Sequence, residues 1–447
     1  MRRLCIFLTV IGGAGALCAG GWREEADARI EKHRKSDFVV QLTGPDGRPL
    51  ANADVTVRQV RSQFGFGTAV ATGMTRNDPS TQRYRQFILD HFNMLVCENA
   101  MKWWEIEKER DAVDYAPADE IVRFAQENDL PLRGHCLAWE KAKWTRPWQH
   151  ALSDNDLREE IEEHLTQSVG RFKGKVVCWD VLNEILNGDF YTSKLGEPFR
   201  AHFFKRARQI DPSAKLFVNE YSILGIDARV EEYVRLIKRL RELGAPVDGI
   251  GVQDHGLQRF SVADPPPAPA PPTTRPAGRP MRPMPPFRPR WAPPPGPNDW
   301  TPQGILDSLD KLGELGLPIH LTEITSIAAD EQLRARTLDM FFRIAYSHPS
   351  VEALILWGFW SKASFQGHDQ ALVDDDWNLT PAGKAVFDLT LRQWRTNLSA
   401  RTDAQGKLAF RGFHGRYELT AKAPDGKDIK GVTDLTAAKT TGKVTVK

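Results

Sequence analysis

A chain of 447 residues exceeds an average single domain but suits one large α/β barrel with additions. Its 41% hydrophobic and 26% charged residues describe an ordinary soluble globular protein, and a net charge of +2 gives no reason to invoke nucleic acid or an acidic membrane as partner. Thirteen tryptophans are many: sugar-binding clefts use aromatic faces, and bulky core packing uses them too.

Arg2-Arg3 precede an apolar run from Leu4 to Leu17, followed by the small residues Cys18-Ala19-Gly20. A charged start, an apolar stretch too short for a bilayer and A-x-A-like cleavage options predict an export signal over residues 1–20. The expected protein is secreted or periplasmic, with no membrane association after cleavage. Cys97, Cys136 and Cys178 then remain, each inside an apolar strand, and are expected as buried free thiols, with a Cys97–Cys136 bridge left open.

Two short β-type runs around Pro45-Asp46-Gly47 occupy residues 37–60 and form an element too small to stand alone. Strand–helix alternation then begins. Strands are expected at 64–70, 93–99, 132–139, 176–184, 215–221, 247–255, 318–324 and 352–360. Helical patterns lie between them at 80–92, 119–128, 153–172, 198–210, 227–243, 302–315 and 331–347, and a last one covers 381–394. Ser153 and Thr301-Pro302 are N-terminal signals, and Gly244 and Gly316 are stops. Eight such units in series predict a closed (β/α)8 TIM barrel over 63–395. Residues 263–298 break the pattern: they hold sixteen of the thirty prolines and five arginines, and read as a disordered insert after strand 6. Past Trp394 the chain returns to short alternating runs split by glycines.

The run VVCWDVLNEIL (176–186) is apolar enough for a strand buried on both faces, and it ends in Glu184. A second strand, PIHLTEI (318–324), ends in Glu323. Strand-end carboxylates lie where such a barrel keeps its reacting groups, and glycoside hydrolysis needs two of them. For either glutamate alone, an ion pair at a strand end is the plainer alternative.

ENAMKW (98–103), GHCLAW (134–139), WDVLNE (179–184), FVNEY (217–221), GVQDH (251–255), HLTE (320–323) and WG (357–358) together resemble glycoside hydrolase family 10, the retaining endo-β-1,4-xylanases. The resemblance implies Glu184 as general acid/base and Glu323 as nucleophile. It further implies sugar-binding roles for Glu98, Asn99, Lys102, His135, Trp139, Asn183, Tyr221, Gln253, His255, Trp357 and Phe365. Four departures stand out. Thr325 replaces an aspartate expected to pair with the site histidine, Glu140-Lys141-Ala142 replaces His-Ser-Gln, and Phe365 and Ser361 replace a tryptophan and an aspartate.

At the chain's ends, VVQLTGPDGRPLANADVTV resembles the opening of a transthyretin-like or carboxypeptidase-regulatory-like β-sandwich, and TDAQGKLAF (402–410) resembles its continuation. The expectation is a TIM barrel inserted into a small discontinuous β-sandwich, residues 37–60 plus 399–447. The expected function is retaining, endo-acting cleavage of a β-1,4-linked polysaccharide, xylan foremost. The alternatives are a β-glycanase for another or a decorated polysaccharide, or a catalytically weak carbohydrate-binding protein. No cofactor and no metal are implied, and a monomer is expected.

Overall fold

The computed structural model describes residues 21–260, 262, 298–422 and 426–447. The expected signal, and the Pro/Arg-rich insert apart from its last residue Asn298, lie outside the described residues.

The first element is one the sequence reading does not contain, helix α1 (Trp22–Arg34), in which only Ala26 and Ile30 are buried. Two apolar positions make no recognisable stripe. The helix is attached by polar contacts to helix Glu331–Ser347 and the turn after it: Arg23 donates to Asp339, Arg29 to Ser347 Oγ, and Arg343 to Asp27. At its end Arg34 donates to the carbonyls of Tyr346, His348 and Val351 at 2.6–2.7 Å and lies against the rings of Phe64 and Tyr346.

Two strands follow, β1 (Lys35–Thr43) and β2 (Asp54–Ser62). The barrel strands are β3 (Gly65–Val70), β4 (Met94–Cys97), β5 (Leu132–Trp139), β6 (Cys178–Asn183), β7 (Lys215–Tyr221), β8 (Gly249–Gln253), β9 (Ile319–Ile324) and β10 (Val351–Leu356). They run in chain order with β10 closing against β3, all neighbours parallel. The eight strands expected from the sequence are these eight. Every residue of β6 and β9 is buried, as two-sided apolar strands require. The helices also form as expected. Ser153 Oγ accepts from the Asp156 N–H and Thr301 Oγ1 from the Gly304 N–H, so both N-caps operate. The last helix stops at Asp388 and continues as a π-turn, Leu389–Gln393.

The chain ends with β11 (Asn397–Arg401), β12 (Lys407–Phe413), β13 (Gly415–Lys422), β14 (Asp428–Leu435) and β15 (Thr441–Thr445). These complete a sandwich of two sheets, ordered β12-β1-β15 and β11-β2-β13-β14. β1 and β2 do not pair with each other. β1 lies between β12 and β15, with Phe38 opposite Phe410, and β2 lies between β11 and β13, with Val57 opposite both Leu398 and Leu419. The core is drawn from both ends of the chain: Phe38, Val40, Leu42, Val55 and Val57 pack with Leu408, Tyr417, Leu419 and Val444. Phe38 meets Phe410 and Tyr417 edge to face. The sandwich strands begin slightly outside the expected bounds, at Lys35 and Asn397.

Ending the chain after Leu398 removes both ladder partners of β1 and, apart from Asn397 and Leu398, those of β2. Residues 35–62 should then become protease-sensitive, read by limited proteolysis with mass spectrometry. Continued protection of β1 and β2 in the shortened chain would refute their dependence on the C-terminal strands.

Candidate active site

An open cavity of about 700 Å³ lies at the C-terminal ends of the barrel strands, where such barrels place their reacting groups. Glu98, Asn99 and Lys102 reach it from the segment after β4, Trp139 from the end of β5, and Tyr221 from β7. Gln253 and His255 come from β8 and the turn after it, and Trp357 and Phe365 from the segment after β10. Glu184 and Glu323 both line it, one just after β6 and one within β9. Each has a left-handed backbone, φ 58° and 53°, a conformation that costs on the order of 1–3 kcal/mol and is concentrated at functional sites.

Glu323 is buried and carries two donors. Asn219 Nδ2 donates to Oε1 at 3.0 Å, and His255 Nε2 lies 3.1 Å from Oε2, the proton assigned to that nitrogen by its carboxylate partner. Burial pushes the Glu323 carboxyl up, but the His255 hydrogen bond and the charges of His135, His255 and Lys102 outweigh it and leave the carboxyl below its ordinary value. Burial likewise pulls His255 down, and Glu323 reverses the sign, so the imidazole sits above its ordinary value. The other ring nitrogen of His255 meets Thr325 Oγ1 at 3.3 Å. A hydroxyl thus stands where the resemblance expects a carboxylate, and the contact is long.

Beneath the two carboxylates, side chains from successive strands hold one another. Asn183 Oδ1 accepts from Asn219 Nδ2 at 2.9 Å and from Gln253 Nε2 at 3.0 Å. Thr322 Oγ1 donates to Asn219 Oδ1 at 2.7 Å. Gly251 makes the room, since a Cβ there would lie 2.3 Å from Asn219 Oδ1. Asn183 Nδ2 is buried without a hydrogen-bond partner among the described residues. His135 is held through Nδ1 by Asp180 at 2.9 Å, and Arg133 pairs with the same carboxylate. Its free Nε2 lies 3.9 Å from Glu323 Oε1. Lys102 Nζ donates to Asn99 Oδ1 at 2.9 Å and sits over the rings of Trp139 and Trp357. Burial raises Glu98 above its ordinary value, with Lys102 opposing.

Every predicted site residue is therefore gathered in or directly under this cleft. Phe365 is the loosest, 61% exposed with its ring 6.1 Å from that of His255. Sequence reasoning missed Asn219, Asp180, Glu220 and Lys141. The first three stand inside quoted motifs, FVNEY and WDVLNE, but their partners are on neighbouring strands. The two charges entering after Trp139 part company: Glu140 is fully buried against Arg200 and Thr192, while Lys141 Nζ reaches Glu184 Oε2 at 2.5 Å. Ala142 begins a short turn and does not line the cavity.

A second cavity of about 740 Å³ opens at the opposite mouth, between barrel and sandwich. Its two acidic residues, Glu352 and Asp434, are paired with Lys215 and Arg416, so it holds no free carboxylate pair for hydrolysis. Away from both, Glu107, Asp111 and Glu160 bring ligand atoms within 4.8 Å of one another, but Glu107 already accepts from the N–H groups of Trp103 and Asp111, and Glu160 from Arg110. Cys97, Cys136 and Cys178 are free and buried, and burial pushes the Cys178 thiol up to about 11.

The profile of glycosyl hydrolase family 10 matches residues 56–264. The anti-sigma-I factor RsgI6 of Acetivibrio thermocellus is 35% identical over 90% of this chain and 47% of its own length. Endo-1,4-beta-xylanase 1 of Arabidopsis thaliana is 34% identical over 88% of this chain and 37% of its own. The chain thus spans about half, or less, of the length of these curated relatives. The crystal structure of xylanase 10B from Thermotoga petrophila RKU-1 in complex with xylobiose superposes with a TM-score of 0.60 at 26% identity, covering 74% of this chain and 95% of the other. Motifs, closed barrel, paired strand-end glutamates and these similarities agree: residues 56–264 carry the pattern of glycosyl hydrolase family 10.

Proposed function

We propose that this chain is a retaining, endo-acting glycoside hydrolase that cleaves β-1,4-linked xylan by double displacement. The observation that carries the reading is the unequal treatment of two glutamates in one cleft. Glu323 is buried and held ionised by Asn219 and His255, as a nucleophile must be, while Glu184 takes its one ion-pair partner among the described residues, Lys141, from the loop after β5. In the first step a Glu323 oxygen attacks the anomeric carbon, the bond to the leaving oxygen breaks, and Glu184 supplies that oxygen's proton. In the second step Glu184 takes a proton from water, the water oxygen attacks the same carbon, and Glu323 departs with the configuration retained. The unpartnered Asn183 Nδ2 is a donor, and His135 Nε2 a second unpartnered polar atom, for the sugar bound between the carboxylates. The names of the plant relative and of the Thermotoga structure support xylan as the substrate. No cofactor enters this chemistry.

A second reading, a carbohydrate-binding protein with weak catalysis, is favoured by the open wall at Phe365 and by the cation on Glu184. We also infer export, on the strength of the Arg2-Arg3 start and the apolar run behind it.

Glu323→Gln should abolish turnover of xylan. Glu184→Ala should lower kcat/KM by about 10²–10⁴-fold on substrates with poor leaving groups and much less on activated aryl glycosides. Proton NMR of the first product formed should show the anomeric configuration kept. An inverted product would remove Glu323 from the nucleophile role, and a wild-type protein that binds xylan without turnover would favour the second reading.

Because Phe365 lines the cleft and Ala142 does not, Phe365→Trp should carry most of any gain from restoring the family pattern. An added aromatic contact of about 0.5–1.5 kcal/mol corresponds to roughly 2–10-fold in kcat/KM on unsubstituted xylan. Steady-state kinetics on xylo-oligosaccharides measure it, and a loss would show that the open wall serves a decorated substrate.

A further inference from the structure

Lys141 is the group with most leverage on the proton-transfer step. Its Nζ lies 2.5 Å from Glu184 Oε2 and 3.0 Å from Tyr221 Oη, with the Tyr221 ring centroid 4.3 Å away. It is the one cation that pairs with Glu184 among the described residues. The lysine side chain is 17% exposed and the glutamate 9%, so water screens the pair little.

The other charged or titratable groups around Glu184 do not replace it. Tyr221 and Glu220 approach from β7, Asp254 and His255 from the turn after β8, and Glu323 from β9, while Lys102 stands across the cleft. His255 is committed to Glu323 and Lys102 to Asn99. Asp254 is committed to Arg259. Burial pushes the Glu220 carboxyl up to about 7 against the N–H groups of Tyr221 and Leu186, and the charge of Glu184 adds to the rise. Burial pulls Lys141 down, but Glu184 and Tyr221 more than compensate, so it stays an ammonium across the working range.

We propose that Lys141 is a positioning residue for proton transfer: its ammonium, braced by Tyr221, holds the acid/base carboxylate in place by direct contact. An ammonium in contact with a carboxylate favours the charged state. The position bears on both steps, since Glu184 gives a proton in the first and takes one in the second. This rests on the hydrolase reading, in which Glu184 must carry a proton when the leaving oxygen departs. The sign follows directly. Replacing Lys141 by a neutral side chain takes that contact away, so the alkaline limb of kcat/KM should move up.

The test compares wild type, Lys141→Met, Lys141→Gln and Lys141→Arg on phenyl and 2,4-dinitrophenyl β-xylobiosides, with kcat/KM taken across pH. kcat/KM reports the free protein and the first chemical step. With the phenyl substrate, which needs a proton, the Met and Gln variants should show the alkaline limb about one pH unit higher, about tenfold in kcat/KM on that limb. Lys141→Arg, which keeps the cation, should keep the wild-type limb. With the dinitrophenyl substrate, whose leaving group departs unprotonated, no such displacement should appear. An unmoved limb, an equal displacement with both leaving groups, a shift in the Arg variant, or folded Met and Gln variants inactive on both substrates would each overturn the proposal. Wild-type protein inert on both glycosides would instead sink the hydrolase reading itself, and the proposal with it.

Discussion

Two carboxylates facing one cleft repel each other, and whatever the site does depends on how the barrel divides stabilising groups between them. The division is set by strand register. Asn183 and Asn219 stand opposite each other across β6 and β7, and Gln253 and Thr322 across β8 and β9. These four residues make the hydrogen bonds that steady Asn219 under Glu323. A one-residue slip of any strand would turn its side chain to the other face and break the set. Closure of β10 on β3 leaves no free edge along which such a slip could relax. The left-handed backbone at Glu184 and Glu323 is held by the same arrangement: the Glu184 N–H donates to the Asn219 carbonyl at 2.8 Å, and the Trp357 N–H to the Ile324 carbonyl at 3.0 Å.

The parts legible in the sequence are those written by local rules. Apolar runs announced all eight barrel strands, caps announced the helices, and motif residues at strand ends announced the two glutamates. What escaped depends on contacts between distant segments. Helix α1 is docked by arginines donating to carbonyls and carboxylates some 310 residues away, and a polar helix with two buried positions has no periodicity to read. Asn219 and Asp180 lay in plain view inside motifs. Nothing in a linear string says that one reaches Glu323 and the other braces His135. The short helices on the catalytic side, Trp103–Ile106 and Phe190–Leu195, are too brief for any periodic signal.

The sandwich follows from where a closed barrel leaves its ends. β3 and β10 are neighbours, so the segments entering β3 and leaving the last helix emerge at one mouth. Strands there must find partners or remain open edges, and β1 and β2 find theirs entirely among β11, β12, β13 and β15. Two fragments that could not bury a core separately share one, with Phe38 and Tyr417 at its centre. α1 continues directly into β1 while Arg34 grips the turn before β10, so the same arginine ties sandwich and barrel together.

The altered loop after Trp139 shows why the two entering charges are best understood as a unit. Glu140 has no exposed surface, accepts from Arg200 Nε at 2.8 Å and Thr192 Oγ1 at 2.9 Å, and its carbonyl accepts from the Phe190 N–H. A buried pair of this kind is costly to break from one side, on the order of 3–5 kcal/mol, because the remaining charge is left without a partner. It therefore anchors the backbone on which Lys141 stands. Gly188 lets this happen: a Cβ there would lie 2.6 Å from the Glu140 carbonyl. An ammonium on a loose loop would sample solvent and contribute little, as exposed ion pairs do. An ammonium on an anchored loop, wedged between Glu184 and the Tyr221 hydroxyl, keeps its contact with the carboxylate. The buried glutamate gives the lysine its fixed position, and the lysine gives the site an electrostatic balance that the glutamates alone would not have.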